Sequence, residues 1–583
     1  MTPGLAVAAR KNTGTDGSPW VWVAVGIVPV AFLAVFFAWP VAALIARGFT
    51  DADGAFTGAA VSSVLNSGRT WRIVGQTLAQ AFAGTAVSVL LGVPGAYVLY
   101  RLRLPGRRIL RALVIVPFVL PSVVVGVAFA SLLNENGPLG FLGLRESFTA
   151  VVAALVFFNY SVVVRTVGGL WARLDPRTEQ AARSLGASNA RVLATVTLPA
   201  LAPAIASAAA LVFLFCASAF GVVLVLGGVS YGTVETEIYY QTTQLLDLPT
   251  AAALSILQLV IITASLLVSN ATRTRNERAL RFASKAGSQR PRASDIPAIA
   301  ITALVILGLL LTPLLCLLWR SLQTQDGIGL GNYLALGETT DKSVTVSVWE
   351  ATLNSLGTAL AATVIAIALG VAVSYVLSRR PKTSASKLGV QVFDSAFMLP
   401  LGVSAVTVGF GFLITLNRPP LDLRSSWVLI PIAQALVALP LVVRTLLPTW
   451  RAIDPRMLQA AATLGAGPPR LFTSIEFPLI LRGVGLAVGF AFATSLGEFG
   501  ATSFLSRPDR PTLPVVIFKL ISRPGVENLG MALAASVVLA VLTALVMGTA
   551  ELLGQAEPGK APGDYGSPGF LKTGVGQSGK GAR

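Results

Sequence analysis

Residues 165–200 read RTVGGLWARLDPRTEQAARSLGASNARVLATVTLPA, and residues 444–479 read RTLLPTWRAIDPRMLQAAATLGAGPPRLFTSIEFPL. Arg165 falls on Arg444, 279 residues further on, and Trp171 falls on Trp450 at the same offset. So do Asp175-Pro176-Arg177 on Asp454-Pro455-Arg456, Gln180-Ala181-Ala182 on Gln459-Ala460-Ala461, Leu185-Gly186-Ala187 on Leu464-Gly465-Ala466, and Pro199 on Pro478. Chance does not give this order and spacing; the chain is a tandem repeat. Downstream, Phe220-Gly221 falls on Phe499-Gly500. Upstream, an offset one residue shorter places Trp71, Gly92 and Tyr97 on Trp349, Gly370 and Tyr375. The duplication therefore covers at least five of the apolar blocks in each half.

Those blocks have membrane-spanning length, each near the ~20 residues a helix needs to cross the hydrocarbon. In the first half they run over residues 20–47, 74–100, 109–133, 148–170, 200–226 and 251–269, and in the second over 296–319, 351–377, 390–416, 427–447, 479–505 and 529–552. Of the 583 residues 54% are hydrophobic and only 12% charged, with a mean hydropathy of +0.74, too little charge to cover a soluble chain of this length. The expected fold is all-α: a polytopic membrane protein of about twelve transmembrane helices in two six-helix repeats. Six is even, so both copies cross in the same sense and are related by an axis along the membrane normal, with a central path between them.

The net charge of +18 raises the question of nucleic acid, but the basic residues sit in alternate loops. Arg101, Arg103, Arg107, Arg108 and Arg111 follow the second block, and Arg273, Arg275, Arg278, Arg281, Lys285, Arg290 and Arg292 follow the sixth. Between Arg191 and Arg273 there is no Lys or Arg, although that stretch holds Glu235, Glu237 and Asp247. The positive-inside rule makes the first two loops cytoplasmic and the loop with Glu235 external, and it puts both termini in the cytoplasm. The first block is too long for an ordinary cleavable signal and lacks a clear cleavage site, so it reads as retained. The expected divisions are a flexible tail at 1–19, a first half at 20–272, a basic cytoplasmic linker at 273–295, a second half at 296–553, and a flexible tail at 554–583.

Several chemistries are excluded. The chain has no histidine, hence no Ser-His-Asp triad and no His-based metal or proton site. Its two cysteines, Cys216 and Cys316, lie singly inside apolar blocks, which rules out a zinc knuckle or a redox pair. No G-x-x-x-x-G-K-[ST] phosphate loop occurs, so ATP is not hydrolysed here by that route. An enzyme is not expected, and no metal or cofactor is expected on the chain.

The repeated loops have a legible local design. Asp175-Pro176 and Asp454-Pro455 read as helix starts, Asp being a favoured cap and Pro tolerated in the first turn. Ala181-Ala182 and Ala460-Ala461 favour a short helix with a small-residue face, and Gly186 and Gly465 permit a tight turn after it. A short helix outside the bilayer offers itself to a partner.

The pattern Ala-Ala, three residues, Gly, then Leu-Pro or Phe-Pro some twelve residues later resembles the EAA loop of type I ABC importer permeases. The resemblance implies that Asp175, Gln180, Ala181, Ala182, Gly186 and Pro199, with Asp454, Gln459, Ala460, Ala461, Gly465 and Pro478, belong to two coupling helices that dock on ATP-binding subunits. It further implies two such subunits, with ATP and Mg bound there, a separate extracytoplasmic substrate-binding protein, and a bacterial inner-membrane location. The family's usual Glu is here Gln180 and Gln459, with Glu179 adjacent in the first copy only. The stretches LVFFNYSVVVRT, LVLGGVSYGTVETEIYYQTTQLLDLPTAAALSILQL and SLGEFGATSFLSRPDRPTLPVVIFKLI are similar to thiamine permeases, and ferric-iron permeases share much of this grammar.

Candidates for the path rest on less. Glu498 lies within the eleventh block, where an ionisable side chain by default suggests function, and its counterpart in the first half is Ala219. A carboxylate there suits thiamine or ferric iron, both cationic; the alternative is a capping or solvated carboxylate near the interface. Asn159, Tyr160, Ser218, Thr494 and Ser495 are further candidates, although such residues also hydrogen-bond between helices. Pro117, Pro121 and Pro400 lie in the third and ninth blocks, where a functional kink requires an actual break, since proline is common in membrane helices. A secondary transporter is the rival of another class, and it predicts buried acidic relays rather than repeated loops.

Overall fold

The computed structural model describes residues 19–50, 55–228, 231–275, 289–325, 327–337, 346–379, 384–417, 419 and 421–555. The expectations for most of both tails and for linker residues 276–288 fall outside them. Among the described residues the chain is helical apart from one two-residue hairpin, Gln323–Thr324 with Gly327–Ile328, and isolated bridges. Among the described residues nine helices are long and apolar enough to cross a membrane, and three bent pairs, each taken as one span, raise the total to twelve. Spans one, two, four, five and six are Ala24–Gly48, Gly68–Arg101, Phe148–Trp171, Asn189–Ala217 and Leu248–Ser265. Spans seven, eight, ten and twelve are Ala293–Ser321, Val348–Ser378, Leu429–Arg451 and Val526–Glu551.

The bent pairs are spans three, nine and eleven. Ile109–Val119 meets Ser122–Leu133 at 102°, Ser386–Pro400 meets Ala405–Thr415 at 91°, and Pro469–Leu481 meets Gly483–Leu496 at 58°. Span three breaks at Leu120-Pro121, both extended, because a proline disfavours the helical conformation of the residue before it. Span nine breaks just past Pro400, and Ser404 restarts the helix by accepting from the Val406 amide at 3.0 Å. The prolines at 121 and 400 thus sit at real breaks.

Spans five and eleven end earlier than their apolar blocks. Helix stops at Ala217 and at Leu496, and only Gly221–Leu226 and Thr502–Leu505 resume it. Apart from Glu498 the residues between remain apolar or small, so hydropathy runs on where the backbone does not.

Four wide helical turns, Ala34–Ala38, Leu193–Thr197, Val305–Leu311 and Phe472–Glu476, each end two residues before a proline: Pro40, Pro199, Pro313 and Pro478. A proline supplies no N–H and crowds the carbonyl four residues back, and a wider turn relieves both.

Packing follows the repeat. Span two lies along span four, and span eight along span ten. A methyl on Gly92 would come within 2.7 Å of Val163, and one on Gly370 would collide with Val442, the residue 279 further on. Tyr97 packs on Trp171 with centroids 5.3 Å apart, and Tyr375 on Trp450 at 5.7 Å. The first span of each half lies against the other half: span one packs on spans eight and nine, and span seven on spans two and three.

Candidate functional site

Two regions carry the residues singled out by the sequence. The first is the pair of loops after spans four and ten. Asp175 accepts from the Arg177 amide at 2.9 Å and opens the helix Pro176–Ser184; Asp454 accepts from the Arg456 amide at 2.9 Å and opens Pro455–Thr463. Each helix closes on a left-handed glycine, Gly186 at φ 82° and Gly465 at φ 86°. The amides of Ala187 and Ala466 reach back to the carbonyls of Ala182 and Ala461, at 3.1 and 3.0 Å, so orphan carbonyls at the helix end are satisfied.

Gln180, Ala181, Gln459 and Ala460 are exposed, Ala182 and Ala461 half-buried. Pro199 and Pro478, both exposed, stand at the start of the helices that follow. Leu185 and Leu464, each just before its glycine, are both 89% exposed. Sequence reading matched these leucines but did not single them out. An apolar side chain held out twice at equivalent places is the signal for a covered surface.

The second region is a cavity of about 360 Å³ between the halves. Its wall combines the breaks of spans three and nine, the non-helical ends of spans five and eleven, and faces of spans four and ten. Asn159, Ser218, Thr494 and Glu498 line it. Tyr160 and Ser495 do not: both are fully buried in helix packing, and the Tyr160 hydroxyl fills the space that a side chain on Gly95 would take. Asn159 donates to the Leu155 carbonyl at 2.9 Å and to Cys216 Sγ at 3.4 Å, and Ser218 to the Leu214 carbonyl at 2.8 Å.

The Glu498 carboxylate accepts from the amides of Ala501 and Thr502 at 2.6 and 3.0 Å. It caps the turn where span eleven has stopped, and it also forms part of the cavity wall. Phe220 and Phe499, the repeated Phe-Gly positions, stack with centroids 5.4 Å apart and line the same cavity. Tyr239 and Phe518, equivalent in turn, pack on Phe220 and Phe499 from outside its lining.

Behind the wall lies Glu235, fully buried in the helix Val234–Thr243 between spans five and six. It accepts from Ser404 across the halves at 2.6 Å and from Gln258 at 2.9 Å. Burial pushes its carboxyl up to about 8, and these two donors hold it from rising further. Among the described residues no group of three His, Cys, Asp or Glu is arranged to hold a metal.

Residues 84–282 match the family described as binding-protein-dependent transport system inner membrane component. The thiamine transport system permease protein ThiP of Brucella abortus (strain 2308) is 26% identical over 562 residues, covering 93% of this chain and 97% of its own length. The protein of the same description from Escherichia coli (strain K12) is 28% identical over 463 residues, 77% of this chain and 83% of that one. The sulfate transport system permease protein CysT of Salmonella typhimurium (strain LT2) is 36% identical over 200 residues, 33% of this chain and 71% of its own. Among solved structures, that of a bacterial ABC transporter involved in the import of the acidic polysaccharide alginate matches with a TM-score of 0.40 and 16% identity, over 44% of this chain and 96% of that chain. The chain belongs to the inner-membrane permease family of binding-protein-dependent transport systems: it is the multi-pass transport subunit of an ABC importer, not an enzyme, and its class works with an ATPase and a binding protein.

Proposed function

We propose that this permease carries a flat organic cation, thiamine first among them, through the cavity between its halves. The observation that carries this reading is the wall itself: rings of Phe118, Phe158, Phe215, Phe220, Phe490 and Phe499, one carboxylate at Glu498, and no Lys or Arg. Aromatic faces attract cations and stack on flat rings, and a desolvated carboxylate strengthens the preference for positive charge. Relatives named as thiamine permeases that align over 93% of the chain support it. Ferric iron, carried by the same mechanism, is the second reading, favoured by the single cavity carboxylate.

The two loops are the docking sites of two ATP-binding subunits, where ATP and Mg reside. Asp175 with Gln180, Ala181, Ala182, Gly186 and Pro199 forms one, and Asp454 with Gln459, Ala460, Ala461, Gly465 and Pro478 the other. Closure of those subunits moves the loops at 175–199 and 454–478, and the broken spans pass the motion to the cavity. Both termini lie in the cytoplasm, the halves at 20–272 and 296–553 are parallel repeats, and the segment 273–295 joins them along the inner leaflet. An ion-coupled secondary transporter is the reading this replaces; it would move cargo in liposomes without any partner.

The test is uptake of labelled thiamine and labelled ferric iron, in parallel, by cells lacking the chain and by the same cells complemented with it. Restored thiamine uptake alone is expected. Restored iron uptake alone moves the cargo to the second reading.

A further inference from the structure

Each half has an arginine at the end of its second span, one offset of 278 residues apart: Arg101, buried at the last helical residue, and Arg379, half-buried at the cap just after Ser378. Both are paired, but not with equivalent residues. Arg101 Nη2 lies 3.2 Å from Glu179 Oε2, on the first docking helix. Arg379 Nη2 lies 2.7 Å from Glu476 Oε2, in the wide turn that begins span eleven. The position equivalent to Glu179 is Leu458, and the position equivalent to Glu476 is Thr197.

These two positions meet in space. Thr197 Oγ1 donates to Glu179 Oε1 at 3.2 Å, so in the first half a hydroxyl touches the carboxylate from the place where, in the second half, the carboxylate itself stands. The charge has moved between two elements that face the same guanidinium, and the pairing has survived the move. A buried arginine left without its anion is strongly unfavourable, which explains why one carboxylate is kept and why either donor position serves.

We propose that Arg101–Glu179 and Arg379–Glu476 are one clamp built from two different sides, and that it sets the orientation of each docking loop against the end of its second span. The residues are positioning residues for the ATP-binding subunit, which they do not touch. This rests on the reading of those loops as docking sites.

The test is a binding titration of the detergent-solubilised full chain with the ATP-binding subunit that copurifies with it, reading the number of sites and the Kd separately. A fold defect lowers the number of competent sites, whereas a displaced loop raises Kd. Glu179→Leu is expected to raise Kd at the first loop at least tenfold, and adding Thr197→Glu to return it to within twofold of wild type. The reciprocal pair Glu476→Thr with Leu458→Glu, which removes no carboxylate overall, is expected to bind within twofold. A Glu179→Leu chain with unchanged Kd and site number overturns the clamp, as does a relocated pair that stays tenfold weak. If Gly186→Trp with Gly465→Trp also leaves binding unchanged, the docking reading itself has failed; if the glycine variants lose binding while Glu179→Leu does not, only the clamp has.

Discussion

At the proposed docking loops the two halves present near copies of one surface. Asp175 and Asp454 cap at the same 2.9 Å, Gly186 and Gly465 turn at φ 82° and 86°, and Leu185 and Leu464 are equally exposed. In the cavity the halves share Pro121 with Pro400 and Phe220 with Phe499, but their polar residues differ. Glu498 stands opposite Ala219, Asn159 opposite Ala438, Ser218 opposite Gly497, and Thr494 opposite Phe215. On the proposed reading, a surface that meets two copies of one partner is held the same in both halves. A cavity that holds a single cargo is one undivided environment, and each half contributes what the other lacks.

The largest effect that tests this contrast is expected from Gly186→Trp combined with Gly465→Trp. A Cβ at either glycine meets nothing within 4 Å in the chain itself, so the protein is expected to insert and fold with about 1–2 kcal/mol of local backbone cost per site, while the partner surface is blocked. Copurification of the ATP-binding subunit should be lost with membrane insertion intact; normal assembly and uptake would remove the docking role. Next comes Glu498→Gln, which keeps an acceptor for one amide and removes the charge. Uptake of a cationic cargo should fall about tenfold, ~1.4 kcal/mol, with assembly unchanged. Uptake at the wild-type level would leave Glu498 as a cap alone.

Smaller effects sharpen the sameness of the loops. Leu185→Ala and Leu464→Ala each remove an apolar knob whose full burial is worth roughly 1.5–3 kcal/mol, so each should weaken ATPase binding about tenfold and by similar factors. Unequal losses would show that the loops meet their partners differently. The smallest effect on assembly and uptake is expected from Glu235, whose change bears on stability through pH. Burial holds the Glu235 carboxyl up at about 8, above its value in the unfolded chain, so its own contribution to stability is fully present below the unfolded value and is lost as pH rises to about 8, levelling off above it. Thermal unfolding in detergent should follow this decline in wild type and be flatter in Glu235→Gln.

Local chemistry made the two loop helices legible. Asp-Pro sets their starts, Leu-Gly-Ala their ends, and both act over a few residues. The count of spans was legible for the same reason, since a run of apolar residues is itself the physical requirement for crossing. The early stops at Ala217 and Leu496 were not, because Ser218 to Phe220 and, apart from Glu498, Gly497 to Ala501 are small or apolar and leave the apolar block unbroken. Glu498 was found as a buried charge, but its two amide partners exist only because the helix stops before it. The clamp was hidden for another reason: its carboxylate changes element between the halves, so aligning the repeat sets Glu179 against Leu458 and conceals the equivalence.

The exchange of first spans has a consequence for how the protein is made. Span one leaves the ribosome early, yet spans eight and nine, its packing partners, are some 300 residues further along the chain. At about 5–20 residues per second, it waits roughly 15–60 s in the bilayer with that face against lipid. Joining the halves in one polypeptide turns the later meeting into an intramolecular search at high effective concentration rather than an encounter between separate nascent chains. Truncation after span six would therefore leave two unmet surfaces, one on span one and one on spans two and three.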